Sequence, residues 1–191
     1  MILLLSLLTL CAACSHKMSS PYQPSLEGKL HSERPMAVSI ELQSEYGDRT
    51  GTTIGSVSFS DGGNVVLDPP HDQWLLDGLT REFERAGFLV YDEKTDAHPH
   101  VTVRHVQFAG EIVNRESFGR RGGALAVFDV EVTFPEPRFV FERRFAATAT
   151  DESRRGLDGD DLEDLLRQAL GEAYAEVVLK THALLDNGSL H

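Results

Sequence analysis

The sequence predicts an α+β fold: a two-layer sandwich with a mostly antiparallel sheet and two helices packed on one face. Two alternating apolar segments, 124–134 and 138–150, are separated only by a short proline-containing turn, which is typical of an antiparallel hairpin. Two segments with helical spacing of apolar residues interrupt the strands without forming regular strand–helix–strand repeats. With 191 residues, 41% of them hydrophobic, the chain can bury the core of one domain.

The first predicted strand covers AVSIEL at 37–42. In it Val38, Ile40 and Leu42 alternate with polar residues, which indicates a half-buried strand. The stretch after it is rich in turn formers, with short apolar pieces at 54–59 and 65–67. We expect a loop with one or two short strands there.

The first predicted helix begins with Asp72 as its N-cap and ends at Gly87, a residue that commonly terminates helices. Its apolar positions are Leu75, Leu76, Leu79, Phe83 and Ala86. Their spacing is that of a helix with one buried face.

Four strands and a second helix follow. FLVYD at 88–92 predicts a strand, and so does the longer run at 100–110, where a change of apolar parity near Arg104 indicates a bulge or a strand buried on both faces. The hairpin over 124–134 and 138–150 comes next. The last element is a long helix from about Asp160 to Leu185, whose predicted buried stripe is Leu162, Leu165, Leu166, Ala169, Ala173 and Val177.

The start of the chain, MILLLSLLTLCAAC, has the pattern of a lipoprotein signal peptide. Its apolar run is shorter than the roughly 20 residues that span a bilayer. Ala12 and Ala13 are small enough for cleavage before Cys14, whereas the bulky Leu10 precedes Cys11. We therefore predict that residues 1–13 are the signal peptide and that Cys14 is the lipidation site.

Residues 14–35, rich in Ser, Pro, His and Lys, are predicted to be a flexible tether, and residues 36–191 a single periplasmic domain. In bacterial lipoproteins generally, Asp after the acylated cysteine favours retention in the inner membrane. By that resemblance Ser15 indicates the periplasmic leaflet of the outer membrane. Removal of Cys11 with the signal leaves no free thiol in the mature domain for a disulfide, a zinc ligand or a nucleophile.

The formal net charge of −12 argues against nucleic acid as a partner, because binding phosphates needs a basic surface. It also disfavours contact between the protein surface and anionic lipid. We expect the membrane contact to come from the acyl chains.

Histidines give the sharpest candidates for a metal site. His98 and His100 lie two residues apart, as two ligands on one side of a strand would, but His105 has the opposite parity. No cysteine or identified carboxylate completes the set, so a solvated loop leading into a strand is favoured. His71 is predicted to be a capping or surface residue.

Other motifs do not match known ligand-binding sites. The acidic run 158–164 does not have the ligand spacing of a calcium loop and fits the first turn of a helix. FGRRGG at 118–123 lacks the context of a phosphate loop and predicts a flexible hairpin loop, with Arg120 and Arg121 as alternative anion or partner contacts. Asp48 and Arg49 could form an exposed ion pair or anchor their loop.

No G-x-S-x-G elbow is present. We therefore predict no catalytic, cofactor-binding or metal-binding residues, and a protein that is not an enzyme.

Several features together resemble the YajG family of outer-membrane lipoproteins. They are the Asp48-Arg49 pair, the Ile54-Gly55 pair, the LDPP turn into a helix, GFLV at 87–90 and the Ala/Leu/Glu-rich last helix. The resemblance covers 37–190 and implies a lipid-anchored envelope protein of undefined biochemical role. FGRRGG is not expected of that family.

The resulting hypothesis is a lipid-anchored outer-membrane lipoprotein with a non-enzymatic domain that binds an envelope protein. The alternative is a small-ligand or cell-wall binding module, which would use a groove beside the sheet. An enzyme acting on the cell wall ranks third, because it would need paired carboxylates in a cleft. Asp129 and Glu131 instead lie on the polar face of a predicted strand.

Overall fold

The computed structural model describes residues 15–30, 36–44, 49–58, 63–115, 119–135, 139–153 and 156–188. The strands are β1 (His16–Met18), β2 (Ala37–Gln43), β3 (Thr52–Ser58), β4 (Asn64–Leu67), β5 (Leu89–Tyr91), β6 (His100–Arg115), β7 (Gly119–Phe134) and β8 (Phe139–Ser153). The helices are α1 (His71–Ala86) and α2 (Gly159–Gly188). Neither described helix has an apolar stretch long enough to cross a membrane.

The long strand β6 organises the sheet. On one side β6 pairs antiparallel with β7, which pairs antiparallel with β8. On the other side, residues 100–104 of β6 pair parallel with β2, and residues 110–113 pair parallel with β3. β5 extends the sheet beyond β2, while β4 and then β1 extend it beyond β3. The sheet therefore forks along one side of β6.

The predicted mostly antiparallel two-layer sandwich is wrong. The eight strands form a mixed sheet that curls into a half-barrel and carries two helices. The pairs β1–β4, β2–β5, β2–β6 and β3–β6 are parallel. Alternation along a strand shows which side chains are buried, but it does not show which strand lies alongside or in which direction. The hairpin β7–β8 was predicted with the correct pairing.

The bulge predicted near Arg104 is confirmed: the register of β6 against β7 shifts between His105 and Gln107. The shift changes which parity of β6 faces the helices, so Val103 before it and Phe108 after it are both buried. Both helices pack on the same face of the sheet. Trp74 of α1 stacks on Phe108, and Tyr174 of α2 contacts Phe128. All six residues of the predicted apolar stripe of α2 are buried.

Helix α1 ends as predicted and begins differently. Gly87 follows the helix with φ of 101°, and its N–H bonds back to the carbonyl of Glu84. Pro70, not Asp72, occupies the N-cap position, without a side-chain capping bond. Asp72 lies in the first turn, where its carboxylate contacts Nδ1 of His71 at 2.9 Å. A carboxylate in this turn still complements the helix dipole.

Helix α2 begins with the predicted acidic turn. Asp158 precedes the helix, and its Oδ1 accepts hydrogen bonds from the N–H groups of Asp160 and Asp161. In return, Oδ2 of Asp161 accepts from the N–H of Asp158 at 2.8 Å. This reciprocal arrangement satisfies N–H groups that a helix leaves open at its start.

The segment 15–30, expected to belong to a flexible tether, is packed on the domain. Met18 and Tyr22 are buried, because β1 extends the sheet and Tyr22 lies between the two helices. The carboxylate of Glu82, fully buried in α1, accepts hydrogen bonds from the N–H groups of Ser25 and Leu26 at 2.9 and 2.7 Å. The segment has little apolar periodicity, so its sequence does not predict this packing. Backbone groups and one carboxylate make many of the contacts.

Candidate functional site

The outer face of the sheet, opposite the helices, carries a charged cleft across β6, β7 and β8. The cleft has a volume of about 330 Å³. It is lined by Arg104, Asp129, Val130, Glu131, Glu142, Arg143 and Arg144. The sheet registers bring these residues together, since Asp129 lies opposite Arg104 on one side and opposite Arg144 on the other.

The charges in the cleft are largely matched. Arg144 donates two hydrogen bonds to Asp129, from Nε to Oδ1 and from a terminal nitrogen to Oδ2, each at 2.7 Å. These hydrogen bonds lower the pKa of the Asp129 carboxyl below its usual value. Arg104 lies 3.8 Å from Glu131. Because these side chains are substantially exposed, the pairs contribute little to folding stability and remain available to exchange partners.

Strand β8 borders the cleft and forms an edge of the sheet. Over the described residues, its 15-residue length pairs with β7 only. Phe139 and Val140, at its start, are 50% and 47% exposed. The rings of Phe139 and Phe134 pack with their centroids 5.7 Å apart, and Lys180 of α2 lies over the ring of Phe141. An unpaired backbone edge, exposed apolar side chains and a charged cleft therefore adjoin one another.

The two histidines of the predicted HPH segment have separate surroundings. His98 stacks on Tyr91 with ring centroids 4.7 Å apart and contacts the hydroxyl of Thr95 at 3.2 Å. His100 is buried between Oγ of Ser39, at 2.8 Å from its Nδ1, and Oε2 of Glu41, at 3.2 Å from its Nε2. No group of three or more metal-ligating side chains occurs among the described residues.

The Ser39–His100–Glu41 chain has the residue types of a hydrolase triad, but Ser39 is completely buried. A substrate carbonyl must come within about 3 Å of a nucleophile. The buried hydroxyl instead joins two adjacent parallel strands, because Ser39 lies directly opposite His100 in the sheet. Hydrogen bonding from Gln43, supported by His100, lowers the pKa of Glu41 below its usual value.

His71 and His105 form a buried pair below the fork of the sheet, with ring centroids 4.9 Å apart. The prediction of His71 as a capping or surface residue is wrong, because its side chain is only 1% exposed. Burial, with His71 as the next cause and Asp72 opposing them, lowers the pKa of His105 to about 4. We therefore expect protonation of His105 to destabilise this part of the core.

The remaining predicted residues lie elsewhere. In FGRRGG, residues 119–123 belong to β7 and not to a flexible loop, since they pair with β6 and residues 120–123 also pair with β8. Arg120 donates to the carbonyl of Leu157 at 2.7 Å, and Arg121 lies 3.7 Å from Glu152. The carbonyl of Arg49 accepts from the N–H of His71, which anchors its loop. Cys11, Cys14, Asp48 and Phe118 lie outside the described residues.

Sequence reasoning found the acidic side of the cleft but not the whole site. Asp129 and Glu131 were correctly placed on the polar face of a strand, whereas Arg104 and Arg144 were not connected to them. The alternation of side chains along β8 places Glu142 and Arg144 on one face, and this pattern could have identified them as members of one polar surface. Residue pairing also requires the register, and the bulge in β6 changes that register.

No protein-family model matches the chain, and no curated protein sequence matches it. Among solved structures, the chain resembles a protein of the DUF330 family from Xanthomonas campestris, with a TM-score of 0.62, 13% identity, and coverage of 92% of this chain and 99% of the other. It also resembles an uncharacterised protein, with a TM-score of 0.57, 11% identity, and coverage of 87% and 99%.

A weaker overlap exists with the rare lipoprotein B from Shewanella oneidensis, with a TM-score of 0.42, 14% identity, and coverage of 80% and 99%. The chain therefore shares the fold of the first two proteins, while the resemblance to the YajG family stays a prediction.

Proposed function

We propose that the chain is a lipoprotein of the bacterial outer membrane, acylated at Cys14, whose domain binds an envelope protein without catalysing a reaction. The lipid attachment rests on the signal-peptide pattern of residues 1–14. The resemblance to YajG lipoproteins agrees with this location. The binding role rests on one structural observation, the open edge of β8.

A long open edge strand is a template for another extended chain, because its outward N–H and C=O groups can continue the sheet. Natural proteins usually cover such an edge or place charges on it to prevent aggregation. Glu142, Arg143 and Arg144 are charges of that kind. They would also select the partner, since an incoming strand must match them on both faces.

The apolar start of β8 supplies contact area beside this charged stretch. Phe139 and Val140 are about half-exposed, and burying such side chains against a partner is favourable by roughly 25 cal/mol per Å² of apolar surface. We infer that the partner contributes an extended segment, with an apolar residue near Phe139 and charged residues over the cleft.

Photo-crosslinking in living cells tests this role. A crosslinking amino acid is placed at Val140, Glu142, Arg144 or Ala146, and in a control at Leu89 on the edge strand β5, which is 52% exposed. Strand addition predicts an adduct to the same protein at the β8 positions and none at Leu89. Equal adducts at both edges, or adducts only at Leu89, would contradict the proposal.

A small-ligand or cell-wall binding module remains the alternative, favoured by the volume of the cleft, which is within the range of ligand sites. Its lining is mainly charged and contains few apolar groups. Titration with soluble cell-wall fragments distinguishes the two functions: saturable binding that is lost in Asp129→Asn together with Arg144→Gln would favour the alternative.

A further inference from the structure

We infer that the N-terminal end of α2, together with β1, lies directly at the lipid surface, and that the β8 docking edge begins at the opposite end of the domain. This inference rests on the proposed acylation of Cys14. In this arrangement the lipid anchor holds the domain at a defined point near β1, whereas the predicted flexible tether would leave the domain mobile.

The first step is the fixed position of His16. β1 pairs with β4 from His16 onward, and the buried Met18 holds it in the core. The ring of His16 lies 3.3 Å from Asp160 and 2.8 Å from Glu163, both in the first turns of α2. A Cβ at Gly159 would lie 2.9 Å from that of His16, so the strand and the helix start are in close contact.

The second step is the length of chain between this point and the acyl group. Only Ser15 separates Cys14 from His16. Consecutive Cα atoms are about 3.8 Å apart, so the acylated residue lies within about 8 Å of the His16 Cα. A tether of 20 residues could instead reach about 70 Å. The acyl chains therefore bring the start of α2 to the headgroups.

The third step is the direction in which the domain extends. Asp164 and Asp186 are exposed residues of α2, separated by about 33 Å at 1.5 Å per residue. The far part of α2 contacts the start of β8, since Lys180 lies 5.3 Å from the ring of Phe141. The end of β8 returns toward the start of α2, where its neighbour Arg120 bonds to Leu157.

Charge opposes a flat orientation on anionic lipid. The mature chain, residues 14–191, carries the whole net charge of −12, because the predicted signal peptide has no charged residue. Contact of its sides with an anionic leaflet is repulsive within a Debye length of about 10 Å. The single covalent attachment overcomes this repulsion only at the end that holds it.

Headgroup quenching on vesicles tests this orientation. The acylated protein, carrying a fluorophore at Asp164→Cys or at Asp186→Cys, is reconstituted into phosphatidylethanolamine–phosphatidylglycerol vesicles that contain lipids with a nitroxide on the headgroup. Cys14 is the only cysteine of the predicted mature chain, and acylation blocks its thiol, so the label enters the introduced residue. We expect at least three-fold stronger quenching at 164 than at 186.

Two further arms separate the possible failures. Inserting twenty Gly and Ser residues between Ser15 and His16 should abolish the difference between the two labels. Equal quenching without the insertion, in protein that floats with the vesicles, would overturn the orientation while leaving acylation intact. Protein that does not float would refute the acylation and, with it, the orientation.

Discussion

The hydroxyl of Tyr22 donates a hydrogen bond to the carboxylate of Glu82 at 3.1 Å, and both side chains are buried. The same carboxylate accepts from the N–H and hydroxyl groups of Ser25 and from the N–H of Leu26. Burial, with the nearby negative charge of Glu82 as the next cause, raises the pKa of the Tyr22 hydroxyl. The hydrogen bonds to Glu82 therefore hold the N-terminal segment 15–30 against α1.

Glu82→Gln should lower the free energy of unfolding by about 2–4 kcal/mol. The amide retains one acceptor oxygen and places an NH₂ group against N–H donors, so charge-assisted bonds are lost and buried groups remain unsatisfied. Glu84→Gln, at an exposed position of the same helix, should change it by less than about 0.5 kcal/mol. Urea denaturation gives both values. Equal small changes would show that the segment is not held by this carboxylate.

Stability should fall as the pH is lowered from 6.5 toward 4, partly because of His105. Its folded pKa of about 4 lies below the ordinary value of 6.5. In this window the unfolded chain binds more protons at this site than the folded chain, so acid favours unfolding. At about 1.4 kcal/mol per pKa unit the loss reaches about 3 kcal/mol.

His105→Phe should remove this part of the pH dependence, and His98→Phe should leave it in place. The free energy of unfolding, measured from pH 4 to pH 7, provides the comparison. The same slope in wild type and His105→Phe would show that the acid sensitivity does not come from His105.

Gly110→Ala should destabilise the domain by about 1–3 kcal/mol through overpacking. A Cβ at Gly110 would lie 2.8 Å from Cδ1 of Leu162 and 3.1 Å from the carbonyl oxygen of Gly123. At Gly123 a Cβ would meet nothing within 4 Å, so Gly123→Ala is a matched strand control with a small effect. Thermal unfolding distinguishes the two variants. Similar midpoints would mean that α2 is not seated tightly over β6.

Local patterns predicted much of the secondary structure, but contacts between distant segments determined the fold. The stop at Gly87 and the β7–β8 hairpin depend on nearby residues and were correctly predicted. The parallel placement of β2 beside β6 depends on residues about 60 positions apart, as in the Ser39–His100 pair. No local pattern reports such a pairing.

The candidate site was predictable to a similar degree. The polarity of Asp129 follows from alternation within β7, whereas its bidentate partner Arg144 is known only once the β7–β8 register is fixed. The docking of residues 15–30 was missed for a related reason. Its main acceptor, Glu82, lies far along the chain on a helix whose buried face was identified by apolar residues alone.

Acyl labelling of the protein in cells tests the central claim most directly, because both the proposed function and the orientation at the lipid surface require a lipid on Cys14. Cells expressing wild type, Cys14→Ala or Cys11→Ala are grown with radiolabelled palmitate, and the protein is isolated. We predict label in wild type and in Cys11→Ala, and none in Cys14→Ala. Label that persists in Cys14→Ala, or that is lost only in Cys11→Ala, would contradict the account.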